Sequence, residues 1–398
     1  MSLRHALLAA PLAIAMACGG ASNDNPTTGG SHAALAAATP TYGALSLDQV
    51  STDTTASALT AASPTPAAAL TATPPLIMDA VSCHPHLFLR QREVVERLNR
   101  HIYKALRHVE TAIASGKVDQ TNTSMTWEQV ENGIDRKFIV MFVSAGVYTW
   151  ELDVGAAGTT PLPVAMTGQI DRTGTTGPHQ GKGTLHVDFA ALHAGFPAET
   201  VTQGTLDVQF DTEAGSRTVT VDAKDVAWQL DPAWFDNMPA VMAALSAPRS
   251  GSYVYFRQPG TGGSLKIQDQ MVFACPSNPQ LLAADAQLVS RWYKATDGSV
   301  HGRSDAFMNG GQLGSPIDHV AAITCHLGAV EGQSQAEGLW LMKAEAADGS
   351  TVTGWSSASG AEPCDPIFGP VPTLTDAKND FTAWPSSYSD GVPYPLHP

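Results

Sequence analysis

The segment Cys83-His84-Pro85-His86 carries residue types that bind metal ions. Two histidines two positions apart on an extended segment point to the same side, so His84 and His86 are the candidate metal ligands. A metal site needs further ligands, and the sequence nominates none. The alternative is that Cys83 forms a disulfide and that both histidines are surface groups. We favour this alternative and predict no metal or other cofactor.

A second set of residues has the types of a nucleophilic triad. Ser299, His301 and Asp305 occupy odd positions of one predicted strand and therefore share a face. Alternate residues on a strand are spaced by about 6 to 7 Å, which is too far for a proton relay. The chain also lacks a Gly-x-Ser-x-Gly motif, a phosphate loop and a dinucleotide fingerprint. We therefore predict no catalytic residue and no enzymatic activity.

A third candidate is a basic surface on the one long helix that the sequence predicts, from about Leu87 to Ser115. Apolar residues recur there at helical spacing, including Val94, Leu98, Ile102 and Val109. The opposite face carries Arg97, Arg100, Lys104 and Arg107. This face is a candidate docking surface for anionic lipid head groups or an acidic partner. The alternative is a solvated face that pairs with carboxylates on the rim of a sheet.

After Trp127 the hydrophobic pattern changes from helical spacing to alternation, which is typical of strands with one buried face. The predicted strands of a first block are Phe138–Leu152, Val164–Thr173, Thr184–Phe189, Thr205–Phe210, Thr218–Leu230, Ser252–Arg257 and Leu265–Ala274. Those of a second block are Leu288–Thr296, Ser299–Met308, Val320–Leu327, Leu339–Ala346 and Thr351–Trp355. Asp-Gly pairs at 297–298 and 348–349 predict tight hairpins.

The predicted fold is mainly β with one long N-terminal α-helix. A curved antiparallel sheet or half-barrel is followed by a smaller antiparallel unit. We place the first domain at residues 81–277, the second at 278–368 and a Pro-rich tail at 369–398. An apolar segment within the first domain, Trp234 to Leu245, is predicted as a short helix that either covers a hydrophobic ligand or belongs to the core.

The first residues predict export. A basic start, an apolar run from Ala6 to Met16 and the small residues Ala15 and Ala17 precede Cys18. This arrangement resembles the signal of bacterial lipoproteins, in which the cysteine after the cleavage site is acylated. The resemblance implies a signal peptide at 1–17, a lipid on Cys18, and a cell-envelope location, with the outer membrane preferred. Ordinary secretion is the alternative, because Ala-x-Ala also suits the general signal peptidase.

The composition of the mature chain fits an exported protein. Residues 18–80 are rich in Ala, Thr, Ser and Pro and predict a disordered tether. Of five cysteines, Cys18 is assigned to lipid, which leaves an even number for disulfides. The two-domain division favours Cys83 with Cys275 and Cys325 with Cys364. A net charge of −15 argues against nucleic acid as a partner.

These features predict an exported, membrane-anchored lipoprotein with a non-catalytic β-rich body. The expected partners are the membrane, through the lipid, and either a hydrophobic ligand or an envelope protein. Two alternatives stay open. The first is a structural or adhesive envelope protein without a small-molecule site, and the second is a hydrolase whose site is not visible in the sequence.

Overall fold

A computed structural model of the chain describes most of the strand-rich body. The described residues are 38, 76–77, 99, 102–109, 112–113, 117–175, 180–197, 199–212, 216–229, 246–258, 261–275, 278–297, 299–309, 318–329 and 337–357. The signal peptide, Cys18, the segment with His84 and His86, the tail and the predicted helix at 234–245 lie outside these residues. The predicted tether at 18–80 also lies outside them except at residue 38, which is buried in the core, and at residues 76–77, which form a short strand. The predictions for them stay predictions.

The described residues form sixteen strands and two helical segments. The strands are β1 Leu76–Ile77, β2 Lys117–Gln120, β3 Ser124–Glu131, β4 Ile134–Ser144, β5 Val147–Ala156, β6 Val164–Asp171, β7 Gly181–Asp188, β8 Val201–Thr212, β9 Arg217–Trp228, β10 Arg249–Gln258, β11 Gly262–Cys275, β12 Asn278–Lys294, β13 Val300–Asn309, β14 His319–Ala329, β15 Glu337–Glu345 and β16 Thr351–Ser357. Helix α1 is seen at residues 102–109, and helix α2 is Phe189–Gly195.

The strands form one sheet with a simple topology. From β2 to β16 each strand pairs antiparallel with its neighbours in the chain, and β1 adds a short parallel pairing to β11. Within the described residues no pairing joins β2 to β16, so the sheet is open. Antiparallel pairing of strands that follow one another in the chain needs no crossover connection, and many of the connecting turns are short. The prediction of a mainly antiparallel β protein is confirmed.

The alternating pattern correctly assigned the two faces of the central strands. We call the face with Leu185, Val208 and Val221 the core face, and the opposite face of the same strands, with His186, Asp207 and Asp222, the polar face. Alternation along Thr184–Phe189 and Thr205–Phe210 predicts that six apolar residues share one face, and all six are buried in a common cluster: Leu185, Val187, Phe189, Leu206, Val208 and Phe210. Val187 is fully buried, whereas the His186 side chain is 45% exposed. The predicted strand register is therefore confirmed here.

Helix α1 covers part of the core face. Ile102 and Val109 are buried in the same cluster as the strand residues, together with Leu106. The stripe predicted at these positions is confirmed, while Val94 and Leu98 lie outside the described residues. In the part of the chain that the structure describes, no helix is both long enough and apolar enough to span a membrane.

Helix α2 is a feature that the sequence analysis missed, because the strand prediction ran through Phe189. Strand β7 ends at Asp188, whose carboxylate Oδ1 accepts hydrogen bonds from the backbone N–H groups of Ala190 (2.9 Å) and Ala191 (3.0 Å) and begins the helix. At the other end Gly195 lies against β5: a Cβ atom there would be 1.6 Å from Cγ1 of Val154. Glycine is therefore required for the close approach of α2 to the sheet.

The sheet also begins earlier and turns more often than predicted. Strands β2 and β3 precede Phe138, and the predicted strand Phe138–Leu152 is in fact two strands joined at Gly146, which has φ of +81°. Asn132 and Gly133, with φ of +52° and +77°, form an Asn-Gly hairpin that was overlooked. The hairpin predicted at Asp348-Gly349 is confirmed, since Gly349 N–H donates to Ala346 O at 2.9 Å.

The proposed domain boundary at 277/278 falls between two paired strands. β11 and β12 pair from Gly262 with Tyr293 to Cys275 with Asn278, so the sheet continues across the boundary. Whether the chain unfolds as two units stays a prediction. Cys325 on β14 is fully buried and disulfide-bonded. Its partner is not among the described side chains, and the predicted pairings stay predictions as well.

Candidate functional site

A polar groove crosses the sheet from β6 to β11 and is the candidate functional site. Its volume is about 730 Å³. The lining residues are Thr167, Thr184, Leu185, His186, Asp207, Val208, Gln209, Asp222, Ala223, Lys224, Ser250, Gly251, Ser252, Gln268 and Asp269. None of them is Phe, Tyr or Trp, and most carry hydrogen-bonding side chains. The groove therefore suits a polar ligand better than an apolar one.

Three neighbouring strands, β8, β9 and β10, are irregular at one end of the groove. The pairing of β8 with β9 shifts around Gly204, and that of β9 with β10 shifts around Ser250. Gly204 has φ of +93° and Asp225 has φ of +51°. The Asp225 N–H donates to Ser250 Oγ at 3.0 Å, which links the irregular parts of β9 and β10. Bulges bend strands and turn side chains, and here they border the groove.

A row of polar residues forms the floor of the groove. Strand pairing places these residues directly opposite one another in the order Thr167, His186, Asp207, Asp222, Ser252, Gln268. His186 Nδ1 lies 2.7 Å from Asp207 Oδ1, and Ser252 Oγ donates to Asp222 Oδ1 at 2.6 Å. Each aspartate thus has one oxygen engaged by its outer neighbour. The two carboxylates face each other at the centre of the row.

Beyond β6 the same row reaches Glu151 on β5, next to the buried carboxyl group of Asp153. The loop that follows β5 lies against this face, since a Cβ atom on Gly155 would meet Pro163 Cδ at 3.0 Å and Leu162 Cδ2 at 3.1 Å. Asp153 is 8% exposed, and its Oδ1 atom has no hydrogen-bond partner among the described residues. Burial, and then the hydrogen bond and charge of Glu151, raise the pKa of Asp153 to about 7 against the opposing charge of Lys137.

The structure brings Ser299 and His301 together but does not arrange them for nucleophilic catalysis. Ser299 Oγ donates to Asp297 Oδ1 at 2.6 Å and lies 3.0 Å from His301 Nε2. Because the single hydroxyl proton goes to Asp297, the serine oxygen accepts from His301 Nε2–H. His301 Nδ1 then accepts from the Tyr293 hydroxyl at 3.3 Å. A catalytic serine donates to its histidine, so the proton order here is reversed.

This network instead stabilises the hairpin between β12 and β13. Asp297 Oδ1 also accepts from the backbone N–H of Ser299 at 2.9 Å. The hydrogen bonds from the side chain and then the backbone of Ser299 lower the pKa of Asp297. Asp305, the third residue considered for the triad, is bound instead by Arg303, whose Nε donates to Asp305 Oδ1 at 2.9 Å in a buried ion pair. The strand-spacing argument is wrong for Ser299 and His301, whose side chains lie within hydrogen-bond distance, whereas Asp305 is paired with Arg303.

Part of the predicted basic docking face is used within the protein. Lys104 Nζ lies 3.6 Å from Glu199 Oε2, and His108 Nε2 lies 3.0 Å from Glu199 Oε1. The imidazole of His108 also stacks on Phe196, with ring centroids 3.6 Å apart. This pairing with a carboxylate beside the sheet is what the alternative interpretation of the helix face predicted. Arg107 is exposed, while Arg97 and Arg100 lie outside the described residues.

Glu199 joins α1 to the chain that follows α2. Burial acts to raise the pKa of Glu199, but the hydrogen bond from His108 and the charges of Lys104 and His108 outweigh burial and hold the pKa below its usual range. Through its contacts with Lys104 and His108, this carboxylate fixes the helix against the sheet. The sequence contains no signal for this contact, because Glu199 lies 91 residues from His108.

In the part of the chain described here, no group of three or more His, Cys, Asp or Glu side chains is placed to hold a metal ion. The candidate ligands His84 and His86 lie outside that part. The groove residues were also not singled out from the sequence. His186 and Asp207 were recognised as the polar positions of two alternating strands, but their meeting depends on the pairing of β7 with β8.

Comparison with protein-family models, with curated proteins and with solved structures finds no match for this chain.

Proposed function

We propose that this chain is an exported, lipid-anchored, non-catalytic protein that binds a polar ligand or partner in the groove between β6 and β11. The observation that carries the proposal is the groove itself: about 730 Å³ of space on the polar face, lined mostly by hydrogen-bonding side chains. Ligand sites in proteins are concave and place a few polar groups toward the ligand. This groove differs from the usual apolar pocket because it is open and has a polar lining. Both features favour a polar ligand over an apolar one.

The sequence supports the anchor in this proposal. Acylation of Cys18 would hold the body at the cell envelope through residues 18–80, with the outer membrane preferred. A hydrophobic ligand stays a second prediction, because the apolar segment Trp234 to Leu245 that suggested it lies outside the described residues. We also propose that the sheet is curved as a half-barrel at its first strands, with one long helix on its core face and a smaller unit after residue 277.

A structural or adhesive role is the second candidate function, and one observation favours it. The core face is filled by a continuous cluster of buried side chains that extends from Met125 on β3 to Ala344 on β15. A sheet packed in this way supports a rigid envelope protein without any small-molecule site. A hydrolytic role has less support, because the serine–histidine contact at Ser299 has the reversed proton order.

Membrane anchoring is tested by Cys18→Ser in the full-length chain. We expect the unsubstituted protein in the membrane fraction, with an acylated N-terminal Cys18 by mass spectrometry, and the variant in the soluble exported fraction. Unmodified Cys18 in a protein released to the medium would contradict the anchor. In the same material, peptide mapping without reduction is expected to link Cys83 to Cys275 and Cys325 to Cys364. A Cys275–Cys325 link would contradict that pairing.

Ligand binding is tested by filling the groove. Gln209→Trp places a large side chain on the floor, and Gln169→Trp makes the same change at an exposed position in the same cross-strand row, outside the lining. The probes are neutral dextran, polyglutamate and hexa-arginine, each measured against the immobilised full chain. We expect at least one probe to bind the parent protein and the Gln169 variant but not the Gln209 variant. Binding of no probe, or equal binding by both variants, contradicts the proposal and favours the structural role.

A further inference from the structure

The groove is long enough to hold a short segment of an extended polymer. Its row of six opposed residues runs from Thr167 to Gln268 across neighbouring strands. Strands lie about 4.8 Å apart, so the row spans about 24 Å. An extended polypeptide advances by about 3.4 Å per residue, and a segment of about seven residues would fill the row. An open groove of this length fits a chain that passes across the sheet.

The centre of the row has an unusual charge arrangement. Asp207 and Asp222 are directly opposite on β8 and β9, a position where like charges normally destabilise a sheet. One oxygen of each is engaged, by His186 and by Ser252. Among the described residues, the second oxygen of each carboxylate has no hydrogen-bond partner. Two adjacent acceptors are therefore presented to the groove without a protein cation between them.

The remaining charges of the lining also favour a cationic partner. Asp269 adds a third carboxylate, and Lys224 is the one lysine of the lining, which contains no arginine. A neutral sugar polymer would gain little from two opposed carboxylates, and the lining contains no Phe, Tyr or Trp side chain on which a sugar could stack. A guanidinium group has five N–H donors in a rigid plane and can donate to two carboxylates at once. An ammonium group is a more strongly hydrated point charge and matches this pair less well.

We propose that the groove is a docking surface for an extended, arginine-rich polypeptide segment of another protein. In this proposal Asp207 and Asp222 together bind one guanidinium group. The inference rests on the proposed binding function and adds the class of partner. His186 and Ser252 orient the two carboxylates, and the polar residues on either side of them accept and donate hydrogen bonds along the bound chain.

The test uses fluorescein-labelled hexa-arginine and fluorescence anisotropy with the full-length protein. We expect Asp207→Asn and Asp222→Asn each to weaken binding about five- to tenfold, the effect of losing a charge-assisted hydrogen bond at a half-exposed site. Asp211→Asn is the matched control, because it removes the same charge from the same strand and face outside the lining. We expect it to change the affinity less than twofold. Hexa-lysine should bind several-fold more weakly than hexa-arginine.

Several outcomes would overturn the inference. An equal loss with Asp211→Asn would show a general effect of net charge. If millimolar CaCl₂ displaces hexa-arginine from the parent protein but not from the Asp207 and Asp222 variants, the groove is a divalent-cation site instead. If the parent protein binds dextran but not hexa-arginine, and Gln209→Trp abolishes the binding of dextran, the proposed function stands and the arginine-rich partner is refuted. If none of dextran, polyglutamate and hexa-arginine binds, both proposals fail. A further measurement uses only the parent protein and so does not depend on whether the variants fold. Hydrogen exchange of β8 and β9 is compared with and without hexa-arginine, and unchanged protection of these strands overturns the inference.

Discussion

The buried carboxyl group of Asp153 should make this protein less stable as the pH rises, and Asp153→Asn should remove that dependence. The side chain lies under the loop after β5 and beside Glu151, and its pKa is raised from 3.8 to about 7. A raised pKa means that the folded protein binds the proton more tightly than the unfolded chain does. The stabilising contribution is therefore complete below pH 3.8 and is lost as the pH rises through about 7.

The magnitude follows from the displacement of the pKa. Moving from 3.8 to about 7 corresponds to about 4 kcal/mol between the two protonation states. We discount this value because solvent reaches part of the site and the charge of Lys137 offsets part of the penalty. The expected loss in the free energy of unfolding, from acidic to alkaline pH, is then about 2 to 4 kcal/mol. Asparagine has the shape of the protonated carboxyl group and carries no charge at any pH.

The assay is urea unfolding of the parent protein and the variant at a series of pH values from acidic to alkaline. We expect the two to be similar below pH 3.8 and to diverge as the pH rises toward about 7, above which the variant should be more stable by about 2 to 4 kcal/mol. Glu128→Gln is the control, since Glu128 is an exposed carboxylate on the other side of Lys137 in the same cross-strand row. Its effect should be below about 1 kcal/mol at every pH.

Two results would refute this reasoning. A difference between Asp153→Asn and the parent protein that does not change with pH would show that Asp153 titrates as an ordinary surface group. A variant that becomes less stable at alkaline pH would show that the ionised carboxylate is favoured in the fold, by Lys137. Either outcome would mean that the loop containing Leu162 and Pro163 does not shield the carboxyl group from water.

Three further predictions concern the packing of α1 and α2 and the hairpin network. Gly195→Ala should lower stability by about 2 to 3 kcal/mol in urea unfolding because its Cβ meets Val154, and the second change Val154→Ala should recover part of the loss; no recovery would contradict the contact. Glu199→Gln should increase hydrogen exchange in α1 at pH 7 and have little effect at acidic pH. A carboxylate with a lowered pKa stabilises the fold above its ordinary pKa, and this stabilisation is lost as the pH falls through the lowered pKa. Ser299→Ala should lower stability by about 1 kcal/mol and leave background hydrolysis of p-nitrophenyl acetate unchanged, whereas a lost esterase activity would restore the hydrolase hypothesis.

The sequence alone determined which residues of the central strands are buried. Alternation in β7 and β8 correctly separated Leu185 and Val208 from His186 and Asp207, because successive side chains on a strand point to opposite faces. Helical spacing likewise placed Ile102 in the core. These are local properties, since each depends on a few consecutive residues and on the period of one element. The predictions for the N-terminal lipid signal also depend on a few consecutive residues, and they stay predictions.

Only the tertiary structure decided which polar residues meet. Alternation places Asp207 and Asp222 on exposed faces, but the register between strands β8 and β9 makes them neighbours, and register depends on the pairing of separate chain segments. The same holds for Glu199 with His108, for the burial of Asp153 beneath a loop, and for the reversed proton order at Ser299. A sequence pattern gives the period of an element and the face of each residue. The candidate site arises where several elements meet, and the physical determinant of that meeting is non-local packing.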